Sequence, residues 1–363
     1  MIKKLFILSL FVSSLFSNEN YTKKQIENMI SKMVILGFNG TDVSLNDKIY
    51  KDIKNYNLGG VILFDKDPND KSKRKNIVNP KQLQNLTSKL QSIRADKLLI
   101  SIDQEGGIVQ RLKPAYGFKY TASAQKISKN GEVFARQEYS KLASLLKKNG
   151  INLNFAPVVD LAINRKNKVI YKLKRSYGKN PKQVIKYASI FIEESRKQGV
   201  ISVLKHFPGH GSSYGDSHKG FVDVTKTWSQ EEMKPYEYLI KNNKVDMIMS
   251  AHVFNKEMDR DYPATLSYDI NTIILRDMLN YQGVLISDDL QMKAISSHYS
   301  LKDTVTLAIN SGVNILLFAN QLAKPVKLET IINTVYSQIQ KGKISLDRIV
   351  DSNKKIEKLL QKI

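Results

Sequence analysis

Residues Val284–Asp289 read Val-Leu-Ile-Ser-Asp-Asp, a short apolar run followed at once by two carboxylates. Such a run, without polar alternation, is typical of a strand buried on both faces, as in a parallel sheet covered by helices. Side chains alternate along an extended strand, so only one of Asp288 and Asp289 can face the opening at its end. We expect one of them to serve chemistry and the other to cap a following helix that starts near Leu290.

Similar runs recur along the whole chain. Eight are found in all: Met33–Phe38, Gly60–Phe64, Leu98–Ile102, Ile151–Phe155, Ile201–Leu204, Val245–Met249, Val284–Ile286 and Val313–Phe318. Eight buried strands alternating with helices predict a (β/α)8 TIM-type barrel, a single catalytic domain over residues 21–363. Two doubly wound domains are the alternative, but no Pro/Ser-rich linker divides the chain.

Segments with helical periodicity lie between these runs, and several end at Asn or Gly just before the next strand. The predicted helices include Pro80–Arg94, Glu132–Asn149, Pro181–Gln198, Ser229–Asn242, Tyr268–Asn280 and Leu301–Asn310. The charged tail Leu346–Ile363 predicts a closing helix.

Polar residues follow five of the eight runs at their carboxyl ends. They are Asp103, Asp160, the pair Lys205-His206, His252 and Asp288. Barrels of this type keep their active sites at that face. The positions of these residues therefore support both the predicted barrel and a site at its carboxyl-terminal face.

The N-terminus predicts a signal peptide over residues 1–17. Lys3 and Lys4 precede an almost wholly apolar stretch, Leu5–Phe16, and a polar exit follows. An apolar stretch of about a dozen residues is too short for a membrane span and fits an export signal. We therefore expect a periplasmic or secreted protein, with an uncleaved anchor as the alternative.

The composition excludes several classes of protein. The chain has no cysteine, which excludes disulfides, thiolate metal sites and a cysteine nucleophile. The formal charge of +23 would allow a loose association with an anionic cell wall. The lysines are scattered, and no basic patch with interleaved aromatics or helix-turn-helix pattern accompanies them, so we expect no nucleic-acid partner. We expect a monomer.

The segment Lys205–His218 holds three of the five histidines in a Gly- and Pro-rich loop. Asp216 and His218 are two residues apart, so in an extended stretch the carboxylate can orient the imidazole and raise its pKa, as a proton donor requires. His206 and His210 are four apart, but Pro208 and Gly209 prevent the helix on which such a pair would bind a metal.

The segment Ser101–Arg111 contains two acids and a Gly-Gly pair. Asp103 and Glu105 lie just beyond the third run, where an acid can bind sugar hydroxyls, and Arg111 can pair with it or reach a ligand. Two enzyme classes remain open on these residues. One is metal-assisted hydrolysis with His206 and His252, but the absence of a His-x-His after the first run argues against this class. The other is glycoside hydrolysis with a carboxylate nucleophile.

Five motifs, in order and at similar spacing over about residues 30 to 340, resemble bacterial β-N-acetylglucosaminidases of glycoside hydrolase family 3. They are Ile102–Gly107, Asn154–Asp160, Arg175–Gly178, Lys205–Gly211 with Asp216–His218, and Ser287–Leu290. Ile108 stands where many relatives carry arginine.

The resemblance implies a role for each matching residue. Asp288 would be the nucleophile, and His218 the acid/base with Asp216 as its partner. The terminal N-acetylglucosamine would be bound by Asp103, Arg111, Arg175, Lys205 and His206. His210 would shape the loop, and Asp160 would support Lys205 or the loop.

The resemblance also implies a function. It implies a retaining exo-β-N-acetylglucosaminidase that needs no cofactor and acts on N-acetylglucosamine-containing glycans or muropeptides from peptidoglycan. Some relatives pass the sugar to phosphate, and the sequence leaves this acceptor open. Larger members carry a C-terminal sandwich domain; about 20 residues follow the predicted barrel here, so we expect none. A wall-glycan-binding barrel without catalysis is the non-enzyme alternative.

Overall fold

The computed structural model describes residues 21–363 except 68, 71, 218, 219, 322 and 323. The predicted signal peptide and His218 therefore lie outside the described residues. Within the described ranges, no helix is long and apolar enough to cross a membrane.

Eight strands form a closed parallel barrel in the ring order β10-β1-β2-β3-β4-β5-β7-β9. The ten strands in chain order are β1 Val34–Gly37, β2 Gly60–Leu63, β3 Leu99–Ile102, β4 Leu153–Asn154, β5 Ile201–Phe207, β6 Val222–Asp223, β7 Met247–Ser250, β8 Val253–Phe254, β9 Val284–Ser287 and β10 Leu316–Phe318. The ring closes between β9 and β10, where Ser287 donates its backbone N–H to the Ile315 carbonyl at 3.0 Å. Every residue of the eight barrel strands is buried, as their unbroken apolar sequence predicts.

Helices surround the barrel. They are α1 Lys23–Lys32, α2 Lys48–Tyr56, α3 Pro80–Ser92, α4 Ala124–Lys129, α5 Gly131–Lys148, α6 Pro181–Lys197, α7 Lys234–Lys241, α8 Lys293–Ser296, α9 Leu301–Ser311, α10 Leu328–Gln340 and α11 Leu346–Leu360. Local sequence explains where several begin. Asn79 and Asn180 accept an N–H from the first turn of α3 and α6, and a proline occupies the first position of each helix. The (β/α)8 prediction is confirmed.

Three predicted helices differ in detail from the structure. The segment predicted over Ser229–Asn242 divides into a 3-10 turn, Gln230–Met233, and α7. The segment predicted over Tyr268–Asn280 is a π-helix over Asp269–Met278. The predicted helix near Leu290 begins only at Lys293 and has no side-chain cap, so the prediction that an aspartate caps it is wrong.

A two-stranded parallel ribbon, β6 with β8, lies outside the barrel. It joins the connection that follows β5 to the connection that follows β7. Val224 adds a third contact through its backbone N–H, which donates to the Phe254 carbonyl at 2.8 Å. The described residues contain the barrel, its helices and this ribbon, and no larger second sheet.

Gly37 tests how closely the barrel strands pack. A Cβ at this position would lie 1.8 Å from the Ala319 carbonyl oxygen. Because backbone cannot move aside cheaply, we expect Gly37→Ala to lower the free energy of unfolding by about 3 kcal/mol or more in a urea titration. At Gly131 nothing lies within 4 Å of an added Cβ, and only φ of +85° opposes a side chain. Gly131→Ala should cost only about 1 kcal/mol, and an equal loss in both variants would contradict the packing argument.

Candidate active site

A cavity of about 420 Å³ lies at the carboxyl ends of the barrel strands. Its polar wall consists of Asp103, Arg111, Arg175, Lys205, His206, His210, Ser217, Asp288, Asp289 and Gln321. Apolar side chains such as Phe64, Phe155 and Met249 line the rest. This size and mixed lining suit a small polar ligand with apolar faces. The structure thus brings the polar residues predicted to follow the strands together around one cavity at this face of the barrel.

Lys205 is the central charge of the cavity. Its side chain is 3% exposed, and its Nζ lies 3.0 Å from Asp103 Oδ1 and 2.7 Å from Glu105 Oε1. Burial lowers the pKa of Lys205, but the two carboxylates outweigh burial and raise it above its ordinary value. The ammonium group is therefore charged and held between strands β3 and β5.

Each of these carboxylates also holds an arginine. Glu105 accepts two parallel hydrogen bonds from Arg175, both of 2.7 Å, and Asp103 accepts one of 3.2 Å from Arg111. Burial raises the pKa of Asp103, but Lys205 and Arg111 hold it well below its usual range. Three cations thus face two carboxylates. Arg111 Nε is buried and has no hydrogen-bond partner among the described residues, so a donor remains for a ligand oxygen.

Asp160 holds His206 and the loop behind it. Its Oδ2 lies 2.7 Å from His206 Nδ1, and its Oδ1 accepts the backbone N–H groups of His206 and His210. An ionised Asp160 favours the tautomer with a proton on His206 Nδ1, which leaves Nε2 for the cavity. The prediction allowed Asp160 to support Lys205 or the loop; its hydrogen bonds go to the loop.

His210 lies in a buried environment that favours the neutral imidazole. Burial, together with the neighbouring His206, lowers the pKa of His210 to about 4. Its Nδ1 lies 2.7 Å from Ser213 Oγ, within the same turn. This agrees with the expectation that His210 shapes the loop.

The two aspartates after β9 have different hydrogen-bond partners. Asp288 lines the cavity and accepts the Asp289 backbone N–H at 2.8 Å. Asp289 is 6% exposed, and its Oδ1 accepts the backbone N–H of Gln291 at 3.2 Å and of Ala319 at 3.0 Å. Asp289 thus fastens the turn after β9 to the end of β10 instead of capping a helix. The structural partners of Asp289 thus differ from the expected helix cap, and the chemical role of Asp288 stays a prediction.

The remaining predicted residues differ in how close they lie to the cavity. Asp216 is half-buried in the loop after β5, and the adjacent Ser217 lines the cavity, so this loop reaches the site just before His218. His252 is 1% exposed and lies between Thr265 Oγ1 and the Asp289 carbonyl, 2.9 Å from each. Among the described residues no group of three or more His, Asp or Glu could hold a metal ion.

Glu105 is a site residue that the sequence analysis noted but gave no role. Its spacing was the available signal, because Asp103 and Glu105 are two apart and Gln104 between them points the other way. Gln104 is fully buried, and its Oε1 accepts the backbone N–H groups of Arg111 and Leu112. The glutamine shapes the Gly-Gly turn, while Asp103 lines the cavity and Glu105 pairs with the cavity-lining Lys205 and Arg175.

The structure is thus a (β/α)8 barrel whose cavity at the strand ends holds the carboxylate of Asp288 beside three paired cations. The chain belongs to glycosyl hydrolase family 3, since the model of that family's N-terminal domain matches residues 23–359. The expected family is confirmed.

Curated relatives and solved structures agree with this assignment. The chain is 32% identical over 336 residues to a beta-hexosaminidase A of Pseudoalteromonas piscicida, covering 86% of this chain and 54% of the relative. It is 34% identical over 277 residues to a beta-hexosaminidase of Photobacterium profundum, covering 76% and 79%. A family 3 beta-N-acetylglucosaminidase from Paenibacillus superposes with a TM-score of 0.82 at 30% identity, over 93% of this chain and 62% of that one. The chain thus spans just over half of the first relative.

Asp103 should make stability depend on acid pH. Its folded-state pKa lies below the ordinary 3.8, so its contribution is present above that value and is lost as pH falls through the folded pKa. We expect the stability difference between wild type and Asp103→Asn to shrink by on the order of 2 kcal/mol between about pH 5 and pH 2, measured by urea unfolding.

The exposed Asp277 offers a matched control. Asp277→Asn should show a nearly constant difference from wild type over the same pH range. A constant difference for Asp103→Asn as well would show that Lys205 and Arg111 do not stabilise the Asp103 carboxylate.

Proposed function

We propose that the chain is a retaining exo-β-N-acetylglucosaminidase. The observation that carries the proposal is that Asp288 shares one cavity with the Lys205, Asp103 and arginine set, in a chain 34% identical to a curated beta-hexosaminidase. Asp103, Arg111, Arg175, Lys205 and His206 would hold the hydroxyl and amide oxygens of the terminal sugar. Their charges and buried contacts suit the oriented binding of a small polar ring.

The proposed reaction has two steps. The Asp288 carboxylate attacks the anomeric carbon, the bond to the leaving oxygen breaks, and protonated His218 gives that oxygen its proton. Neutral His218 then takes a proton from water, whose oxygen displaces Asp288 from the same carbon. Asp216 would orient His218 and favour its charged form. Two displacements on one carbon retain its configuration.

The role of Asp288 is tested with an aryl β-N-acetylglucosaminide. We expect Asp288→Ala to lower kcat/KM by about a thousandfold or more, because the covalent intermediate cannot form. Wild-type activity should survive EDTA, and Asp277→Ala should behave like wild type. Activity that persists in Asp288→Ala, or that EDTA abolishes, would contradict this assignment.

Product analysis in phosphate buffer identifies the acceptor, since transfer to phosphate gives the sugar phosphate in place of free N-acetylglucosamine.

We further propose that the enzyme is exported and acts on peptidoglycan fragments. The basic and apolar N-terminal pattern over residues 1–17 supports export, and the formal charge of +23 is suited to work near an anionic wall. β-Linked N-acetylglucosamine at the end of a muropeptide is then the natural substrate for this site. The support is in the sequence pattern alone.

Export is tested with residues 1–30 fused to a reporter that is active only in the periplasm. We expect the fusion to be active and Leu10→Arg to abolish its activity, because a charge interrupts the apolar stretch that export requires. An inactive wild-type fusion would overturn the proposed localisation and leave the catalytic proposal intact.

A further inference from the structure

Glu232 is a buried acid close to the site but outside the cavity lining. It lies in the 3-10 turn Gln230–Met233 before α7 and is 1% exposed. Its Oε2 accepts the Gly211 backbone N–H at 2.7 Å, and its Oε1 accepts the Ser212 backbone N–H at 3.1 Å. Both donors belong to the loop that carries Asp216 and continues into His218.

The loop packs directly against this carboxyl group. A Cβ at Gly209 would lie 2.6 Å from Glu232 Cβ, and φ of +128° there also favours glycine. A Cβ at Gly211 would lie 2.9 Å from Glu232 Oε2 and 1.8 Å from the Leu161 carbonyl oxygen. These two glycines therefore allow the backbone to reach Glu232.

The beginning of the loop is fixed from several sides. Asp160 accepts the His210 N–H, and Asn167 donates to the His210 carbonyl at 2.8 Å. Asn164 donates to the Ser213 carbonyl at 2.8 Å. Glu232 supplies both acceptors for the two consecutive N–H groups between these contacts. Glu232 thus fixes the position of the backbone at Ser212, four residues before Asp216.

A carboxyl group suits this position better than an amide. Burial and the charge of Asp160 raise the pKa of Glu232 to about 8, but in either protonation state both oxygens keep lone pairs that accept N–H donors. A glutamine would place an NH2 group opposite one of the two donors. Leaving a buried N–H without an acceptor costs about 1–3 kcal/mol, which is enough to displace the turn.

We infer that Glu232 is a positioning residue for proton transfer: it holds the Gly211–Ser212 backbone, from which the chain runs on to Asp216 and the proposed acid/base His218. This inference rests on the proposed function, in which His218 is the acid/base. Glu232 touches neither the sugar nor the reacting atoms, so the loss of its contacts should impair acid catalysis and leave sugar binding unchanged.

The test compares two aryl β-N-acetylglucosaminides. Dinitrophenolate departs without a proton, whereas phenolate needs one. We expect Glu232→Gln to lower kcat/KM for the phenyl substrate at least about tenfold more than for the dinitrophenyl substrate, with the inhibition constant of N-acetylglucosamine unchanged. Glu194→Gln is the matched control, because Glu194 is also buried but pairs with Arg136 and Lys197 on the outside of the barrel. It should keep wild-type ratios.

The variant His218→Asn separates the two hypotheses. It should show the same dependence on the leaving group, more strongly; if it does not, the proposed acid/base is wrong. If His218→Asn shows the dependence and Glu232→Gln loses equal activity on both substrates or none, the inference on Glu232 is overturned alone. Thermal unfolding checks that each variant folds. Should Glu232→Gln not fold, Glu232→Asp, which withdraws the carboxyl by one methylene, carries the same comparison.

Discussion

The site depends on one buried ammonium group. Lys205 has almost no contact with solvent, and a charge in that position requires paired carboxylates. Asp103 and Glu105 supply them from the end of β3, and each then holds an arginine from a different loop. The network therefore joins the connections after β3 and β4 to the end of β5, and it orients every cation of the predicted sugar-binding set through shared acids. Removal of Asp103 would take the carboxylate partner from Arg111 and one of two from Lys205.

Some residues at this face line the cavity and also hold the scaffold. Asp288 and Asp289 both line the cavity, and Asp289 in addition fastens β9 to β10. His206 and His210 both line it as well, and the His210 side chain in addition bonds within its own turn. A motif dense in polar residues therefore supplies both the cavity wall and contacts that hold it.

The buried strands were the most predictable elements. All eight barrel strands lie inside or within one to three residues of the predicted apolar runs, because burial on both faces leaves a continuous hydrophobic signal. Helix boundaries at Pro80 and Pro181 were predictable from Asn-Pro starts. The helix cap assigned to the aspartate pair was wrong because the chain makes a turn before α8. Local sequence does not show that Asp289 accepts the Ala319 N–H from the end of the neighbouring strand β10.

The sequence by itself determined the barrel, the face that carries the site, the family and most residues of the polar wall. These properties follow from local patterns: apolar runs, the residues directly after them and motifs in fixed order. Only the tertiary structure decided the partners. Glu105 with Lys205 and Arg175, Asp160 with His206, and Glu232 with the Gly211–Ser212 backbone join segments up to about a hundred residues apart. Hydrogen bonds and ion pairs act over a few ångströms in space. Which residues come that close is decided only when the strands close into a ring, so these partners cannot be identified from their separation along the chain.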